Sequence, residues 1–223
     1  MTRPGAPLGK LMARAVRGLG SHPEPDDIET RLLDAAIEVL AERGTQTATI
    51  DEVARRAKVG RATVFRRFSS KDELFERALA QEMRKFLDEL QERAGGFDDI
   101  GERVAEGFAV CIEIVNHPLL SGDSLVARMT AIEAITQGDP APIELARHYL
   151  TSQIDQMREE GRIPPGDSGR QVDVLIHLVL GYLAAPGTTI DLGNTEEVRA
   201  LARETFAPIL LTPNVPVAAP SVP

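Results

Sequence analysis

Apolar residues recur along most of the chain at the 3.6-residue period of an amphipathic helix, and no segment alternates convincingly as a strand would. Glycines and prolines interrupt this pattern at intervals and mark where helices end. The pattern predicts helices at about 27–43, 50–57, 61–68, 71–94, 99–116, 120–137, 141–160, 168–185 and 195–211. The predicted fold class is therefore all-α, with three short helices followed by about six longer ones.

Start signals precede five of these helices. In a capping box, a polar side chain accepts a hydrogen bond from the backbone three residues later, where a Glu often stands. Pairs with this spacing are Asp26 with Glu29, Thr49 with Glu52, Ser70 with Glu73, Asp99 with Glu102, and Asn194 with Glu197. Local sequence thus predicts where these helices begin.

The two ends of the chain lack the helical pattern. Residues 1–26 are rich in Gly, Pro and small residues and predict a flexible arm. Residues 212–223 contain four prolines and predict a disordered tail. Between the ends we expect a three-helix domain at 27–73 and a six-helix domain at 74–211.

The predicted helix at 168–185 is apolar nearly all round. A helix without a polar face needs cover on both sides, and one side can pack on its own domain. We expect the other side to pack in a homodimer interface, to which the amphipathic helix at 195–211 also contributes. A central helix buried within a monomer is the alternative.

The chain is acidic, with a formal net charge of −9, but one short segment concentrates positive charge. Its six cations are Arg55, Arg56, Lys58, Arg61, Arg66 and Arg67, and no carboxylate lies among them. Residues 81–223 carry 22 carboxylates against 11 cations. Any contact with nucleic acid must therefore be local.

The predicted helices at 50–57 and 61–68 are joined by "KVG", a spacing typical of a helix-turn-helix. At 100° per residue, Val64 and Phe68 share the side that faces the core. Ala62, Thr63 and Arg66 point the other way. Such a helix fits a major groove, where an Arg reads guanine and a Thr contacts phosphate or a thymine methyl. A solvated basic face, or a face that binds an acidic protein, would show the same charge.

The stretch "TATIDEVARRAKVGRATVFRRFSSKDELFERAL" resembles the DNA-binding signature of the TetR/AcrR family of bacterial transcriptional regulators. This resemblance implies an N-terminal helix-turn-helix domain followed by a ligand-binding and dimerisation domain. It also implies a repressor that binds a palindromic DNA operator as a dimer and is released by a small hydrophobic effector. Geometry and resemblance together predict these DNA-binding residues: Thr49, Gly60, Arg61, Ala62, Thr63, Phe65, Arg66, Arg67 and Lys71.

Three positions depart from the family's usual pattern. Gly60 stands where a Ser usually caps the helix, and Phe65 replaces a Tyr whose hydroxyl commonly meets a phosphate. Arg67 replaces a His. We hypothesise that the additional arginines offset the missing hydroxyl.

The resemblance implies an apolar effector pocket in the second domain. Adaptable apolar side chains there predict these ligand-binding residues: Phe86, Phe108, Cys111, Ile112, Met129, Tyr149, Met157 and His177. Plain core packing is the alternative for each apolar member. His177 is the most distinct polar candidate, because it lies in an otherwise apolar run, and a core or interface position is the alternative for it.

The sequence shows no HExxH metal motif, phosphate-binding Gly-rich loop or nucleophile elbow. We therefore expect no enzyme activity, metal or cofactor, and Cys111 is expected to be a structural thiol. No apolar run reaches the roughly 20 residues of a membrane span, and the single cysteine suits a cytoplasmic protein. An all-helical enzyme or a carrier of hydrophobic molecules is the alternative function.

Overall fold

The structure, a computed structural model, describes residues 6–21, 23–113, 119, 125–185 and 189–213. Its helices are α1 Leu8–Gly18, α2 Asp27–Thr47, α3 Ile50–Arg56, α4 Arg61–Arg67, α5 Lys71–Gly95, α6 Ile100–Glu113, α7 Leu125–Thr136, α8 Pro142–Glu159, α9 Ser168–Ala184, α10 Thr195–Leu201 and α11 Ala207–Leu211. A π-helical turn, Ala202–Phe206, joins α10 to α11. Every regular element in these ranges is helical, which confirms the all-α prediction.

The predicted helix positions agree with the structure except at a few ends. Gly44 was predicted to end α2, and its backbone is indeed non-helical there (φ 69°) although helical turns continue to Thr47. Residues 114–116, predicted as the end of α6, and 120–124, predicted as the start of α7, lie outside the described residues. None of the described helices is both long and apolar enough to span a bilayer.

The predicted start signals are confirmed by hydrogen bonds. In four of the five predicted pairs, a side-chain oxygen of the capping residue accepts a hydrogen bond from the backbone N–H of the Glu three residues later. These four are Glu29, Glu52, Glu73 and Glu102, at distances of 2.9–3.2 Å. Asn194 accepts the N–H of Glu196 at 3.1 Å, one residue earlier than predicted. Thr49 and Glu52 bond reciprocally, so that α3 begins with a complete capping box.

Helix α1 corrects the prediction of a flexible arm over residues 1–26. Leu8, Leu11, Met12 and Ala15 recur at helical spacing, and Leu11 and Ala15 are at most 1% exposed. Arg14 adds an ion pair to Glu76 at 2.6 Å. The glycines and prolines of this segment dominate its composition, but its apolar stripe packs against a core and stabilises the helix.

The first compact unit comprises the described residues within 1–88 and 114–145. Its core is formed by all five helices from α1 through α5. Among its most buried side chains are Leu32, Val53, Val64, Phe68 and Phe75. These ranges differ from the predicted boundary after residue 73. The physical reason is that the first turns of α5 contribute large side chains to this same core, which a boundary at 73 would divide.

The second unit comprises the described residues within 89–113 and 146–213. Three aromatic rings meet in its core, with the Phe206 centroid 4.3 Å from that of Phe108 and 6.3 Å from that of Tyr182. Helices α8, α9 and α11 are joined by Gln171, which is 2% exposed. Its oxygen accepts Nη2 of Arg158 at 2.7 Å, and its nitrogen donates to the Ile209 carbonyl at 2.7 Å.

Glu106 on α6 is the centre of an ion network in the second unit. Its side chain is 11% exposed and lies 3.2 Å from Arg93 and 2.5 Å from Arg199. Burial raises the pKa of this carboxyl, but hydrogen bonds from Arg199 and Arg93 outweigh burial and hold the pKa below its ordinary value of 4.5. The folded state therefore favours the ionised carboxylate.

The Glu106 carboxylate is expected to stabilise the fold above pH 4.5 and to lose this contribution as the pH falls through its lowered folded-state pKa. The free energy of unfolding should fall less steeply with decreasing pH in Glu106→Gln than in the wild-type protein. The difference in slope should be at most about 1.4 kcal/mol per pH unit. Urea unfolding between pH 7 and 3 measures this slope. Glu113→Gln is the control, because Glu113 pairs with the same Arg93 but is 45% exposed. Equal slopes in the two variants would contradict the prediction.

Candidate nucleic-acid interface

A four-residue turn connects α3 to α4. The Val59 N–H donates to the Ala54 carbonyl at 2.9 Å and the Lys58 N–H to the Arg55 carbonyl at 3.2 Å. This pair of bonds is a Schellman motif, which places its C′ residue in the left-handed region. That residue is Lys58, with φ 56°. Gly60 then starts α4, and the arrangement is that of a helix-turn-helix, as predicted.

The left-handed conformation of Lys58 predicts a stabilising substitution. A residue with a Cβ atom is strained at positive φ, whereas glycine is not. Lys58→Gly is expected to be about 1 kcal/mol more stable than Lys58→Ala, which removes the same charge but keeps the strain. Thermal unfolding should show a melting temperature about 2–4 °C higher for the glycine variant. Equal melting temperatures would contradict the assigned turn.

Helix α4 is anchored on one side and open on the other. Val64 and Phe68 are at most 1% exposed and face the core of the first unit. Ala62 and Arg66 are exposed, and Phe65 is 46% exposed. The open side therefore offers the predicted small residue and guanidinium, and the aromatic ring of Phe65 is exposed beside them. Thr63 differs from the prediction in being half-buried.

Half of the six cations are neutralised by carboxylates from elsewhere in the first unit. The pairs are Arg56 with Glu42 at 2.7 Å, Arg61 with Asp51 at 2.7 Å, and Arg67 with Asp26 at 2.8 Å. This corrects the picture of bare cations, which considered only carboxylates within the segment itself. The partners lie 10 to 41 residues away in sequence, on α2, on α3 and just before α2.

The other three cations, Arg55, Lys58 and Arg66, are exposed and make no ion pair within the described part of the chain. Arg66 lies on the open side of α4, and Lys58 lies in the turn that precedes it. Sequence reasoning did not select Arg55 and Lys58 as contact residues. Because they make no ion pair within the described residues, they add exposed positive charge to the candidate surface.

Several predicted DNA-binding residues also have structural partners. The Thr49 hydroxyl takes part in the capping box of α3. Lys71 donates to the carbonyls of Thr45 and Ala48 at 3.2 and 3.1 Å, which ties the start of α5 to the corner between α2 and α3. Arg67 is half-buried against Asp26. These placements favour a structural role for the three side chains, whereas Gly60, Arg61, Ala62, Phe65 and Arg66 lie on the exposed surface.

The predicted effector residues belong to both compact units. Phe86 and Met129 belong to the first unit, and the other six belong to the second. Met129 is 49% exposed, and the His177 side chain is 67% exposed. The structure brings Phe108 together with Tyr182 and Phe206, which sequence reasoning did not include.

The remaining predicted effector residues are described by their own surroundings. Ile112 and Met157 are buried, and the Tyr149 hydroxyl donates to the Gln91 side chain at 2.7 Å. Burial raises the pKa of the Cys111 thiol to about 12, so that the thiol stays protonated at neutral pH. A protonated, desolvated thiol agrees with the structural role predicted for this cysteine.

Comparison with known proteins adds independent information on residues 32–78. This segment matches the family model described as bacterial regulatory proteins, tetR family. The match covers α3, the turn, α4 and most of the α2 residues that pack against them. An uncharacterized HTH-type transcriptional regulator of Bacillus subtilis, YvkB, is 28% identical over 156 residues, which are 68% of this chain and 79% of YvkB.

Solved structures share the fold across most of the chain. The TetR-family regulator SCO4454 of Streptomyces coelicolor has a TM-score of 0.60 and 19% identity, over 92% of this chain and 99% of its own. The transcriptional regulator FadR of Bacillus subtilis, solved in complex with stearoyl-CoA, has a TM-score of 0.55 and 17% identity, over 81% and 97%. At these identities the likeness shows the fold alone.

Proposed function

We propose that this chain, whose residues 32–78 match the model of the tetR family of bacterial regulatory proteins, is a regulator of that family. We propose further that it represses transcription by binding a palindromic operator as a homodimer. Regulators of this family act by binding DNA and effector ligands rather than by catalysis. The single observation that carries the proposal is α4, whose open side presents Arg66, free of ion pairs within the described residues, while Val64 and Phe68 hold its other side. A helix held this way can enter a major groove without unfolding.

The outer side of α9 supports the dimer. Val174 is 42% exposed, Leu178 is half-buried and Gly181 is exposed, and their spacing places the three on one face of the helix. A Cβ added to Gly181 would have no atom within 4 Å, which leaves room for a second chain to approach closely. Leu211 on α11 is 45% exposed. Apolar surface of this kind is stabilised when a second copy covers it.

Selection of bound sequences from random duplex DNA tests the proposal. We expect the selected sites to be palindromic, with two half-sites about 34–36 Å apart or at a multiple of this spacing. Light scattering during size-exclusion chromatography should give twice the mass of one chain. Selection without palindromic enrichment, or a monomer that binds as tightly as any dimer, would contradict the proposal.

We also propose that a hydrophobic effector lowers operator affinity. Support comes from the apolar composition of the second unit and from the fold shared with a regulator solved with stearoyl-CoA. Helix α5 contributes residues to both units, so a change in one unit can be carried along it to the other. The effector must bind the two states with different affinity for this to occur.

Stearoyl-CoA is the first probe for the effector, with free coenzyme A as the matched control. Operator binding is measured by fluorescence anisotropy at increasing probe concentration. A fall in affinity with the acyl thioester alone supports a hydrophobic effector. Binding of the thioester without any change in operator affinity would contradict its proposed role.

A further inference from the structure

We infer that Asp51 determines how strongly this protein prefers its operator to random DNA, because it cancels the charge of Arg61 beside the DNA-reading helix. The inference rests on the proposed function and deepens it. It assigns a specificity role to a carboxylate that is ten residues from its partner and belongs to another helix.

The geometry joins the two residues directly. Arg61 is the first residue of α4, and its Nη1 donates to both carboxylate oxygens of Asp51 at 2.8 and 2.7 Å. The guanidinium carbon also lies 5.3 Å from the centroid of the Phe65 ring. Both side chains of the pair are more than 60% exposed. A carboxylate therefore stands on the open surface, beside the cation nearest the start of α4.

The effect follows from charge rather than from the strength of the ion pair. A surface pair contributes little to stability, so Arg61 can leave Asp51 for a phosphate. The carboxylate nevertheless remains beside that phosphate, and the summed charge of the two residues stays zero. Arg61 therefore releases less counterion from DNA than Arg55 and Lys58, which make no ion pair within the described residues.

Random and operator DNA respond differently to this cancellation. Binding to random DNA depends essentially on phosphate contacts, so each cation that becomes available strengthens it. At the operator, base contacts by Arg66 fix the register of α4, and a freed Arg61 has fewer phosphates within reach. Asp51 therefore weakens binding to random DNA more than binding to the operator and increases the ratio between them.

A structural role at the start of α3 is the simpler alternative. Asp51 lies in the first turn of α3, where a negative charge interacts favourably with the helix dipole. Such a role would change thermal stability slightly and would leave the salt dependence of DNA binding unchanged. The two roles are therefore separated by a DNA measurement and not by a stability measurement.

Asp51→Asn is the test, with affinity for a random duplex and for the selected operator measured between 50 and 200 mM salt. The salt slope is the slope of the logarithm of affinity against the logarithm of salt concentration. Freeing one Arg per subunit should make this slope steeper by about 1.8 for the dimer. The variant's gain in random-duplex affinity should then be about tenfold larger at 50 mM than at 200 mM salt. The ratio of operator to random affinity should fall.

Glu42→Gln is the matched control. It also removes an exposed carboxylate from an arginine, but Arg56 keeps a second partner, Glu38, at 3.5 Å. We expect a smaller change in the salt slope than for Asp51→Asn. In the double variant Asp51→Asn with Arg61→Gln, most of the gain on random DNA should disappear, because the freed cation is absent.

If the wild-type protein binds DNA but Asp51→Asn leaves random-duplex affinity and the salt slope unchanged, the inference is overturned and the proposed function is not. Equal changes in Asp51→Asn and Glu42→Gln would also overturn it, because net charge would then account for the result. Absence of DNA binding by the wild-type dimer at 50 mM salt would instead overturn the proposed function.

Discussion

Arg66→Ala is expected to weaken operator binding by at least about 30-fold, while random-duplex affinity changes far less. Arg66 is exposed on the open side of α4 and has no ion pair within the described residues, so its donors are available to a guanine edge. A bidentate contact of this type contributes about 1–3 kcal/mol, and the proposed dimer would make it twice. Anisotropy titrations on the selected operator and on a scrambled duplex measure both affinities.

Two control variants separate base reading from other losses. Arg55→Ala removes another exposed cation that has no ion pair within the described residues, but outside α4, and should weaken both duplexes by similar factors. Arg67→Ala breaks the pair with Asp26, and we expect it to lower thermal stability. If Arg66→Ala weakened both duplexes by the same factor, Arg66 would be a phosphate contact and not a base contact.

Phe206→Ala is expected to lower the free energy of unfolding by about 3–5 kcal/mol. The ring is 2% exposed and packs edge-on against Phe108, with Tyr182 completing the group. Truncation loses the transfer free energy of the ring and leaves a cavity among side chains that cannot close around it. Edge-to-face contact contributes a further part of the loss. Urea unfolding at fixed protein concentration measures the change.

Phe97→Ala provides the control, because it makes the same chemical change in the same unit at a side chain that is 38% exposed. We expect this variant to lose less than about 1 kcal/mol. Phe206→Leu, which keeps most of the volume, should lie between the two. A Phe206→Ala variant as stable as Phe97→Ala would show that the aromatic group is not a core.

The order and type of the helices were predictable because helix formation is local. Hydrogen bonds of Thr49 with Glu52 and of Asp26 with Glu29 connect residues three apart, and the sequence displays that spacing directly. The apolar side of α4 was predictable for the same reason, since Val64 and Phe68 lie one turn apart. Helix α1 was missed because its apolar stripe is short and depends on the core for stability.

The candidate site was only partly predictable. The sequence identified the basic segment and the outward position of Arg66, both of which follow from residue type and helical period. It did not reveal that Asp51, Glu42 and Asp26 neutralise three of the cations. Those pairs connect different elements, so they depend on how the elements pack and not on spacing within one helix.

The surroundings of the predicted effector residues were the least predictable part. Phe108 and His177 are both helical residues with apolar neighbours in sequence, yet one is 4% exposed and the other points to solvent. Helical period places a residue on a face, but packing decides what covers that face. The assignment of Phe86 and Met129 to one compact unit and of the other six residues to another likewise follows from packing.

The sequence by itself determined α2 to α9, their caps and the turn between α3 and α4, because each depends on contacts between residues close along the chain. Only the tertiary structure decided which cations are free, since carboxylates from α2 and α3 meet the basic segment through folding. Charge at a surface depends on distance in space, and a linear sequence orders residues only along the backbone.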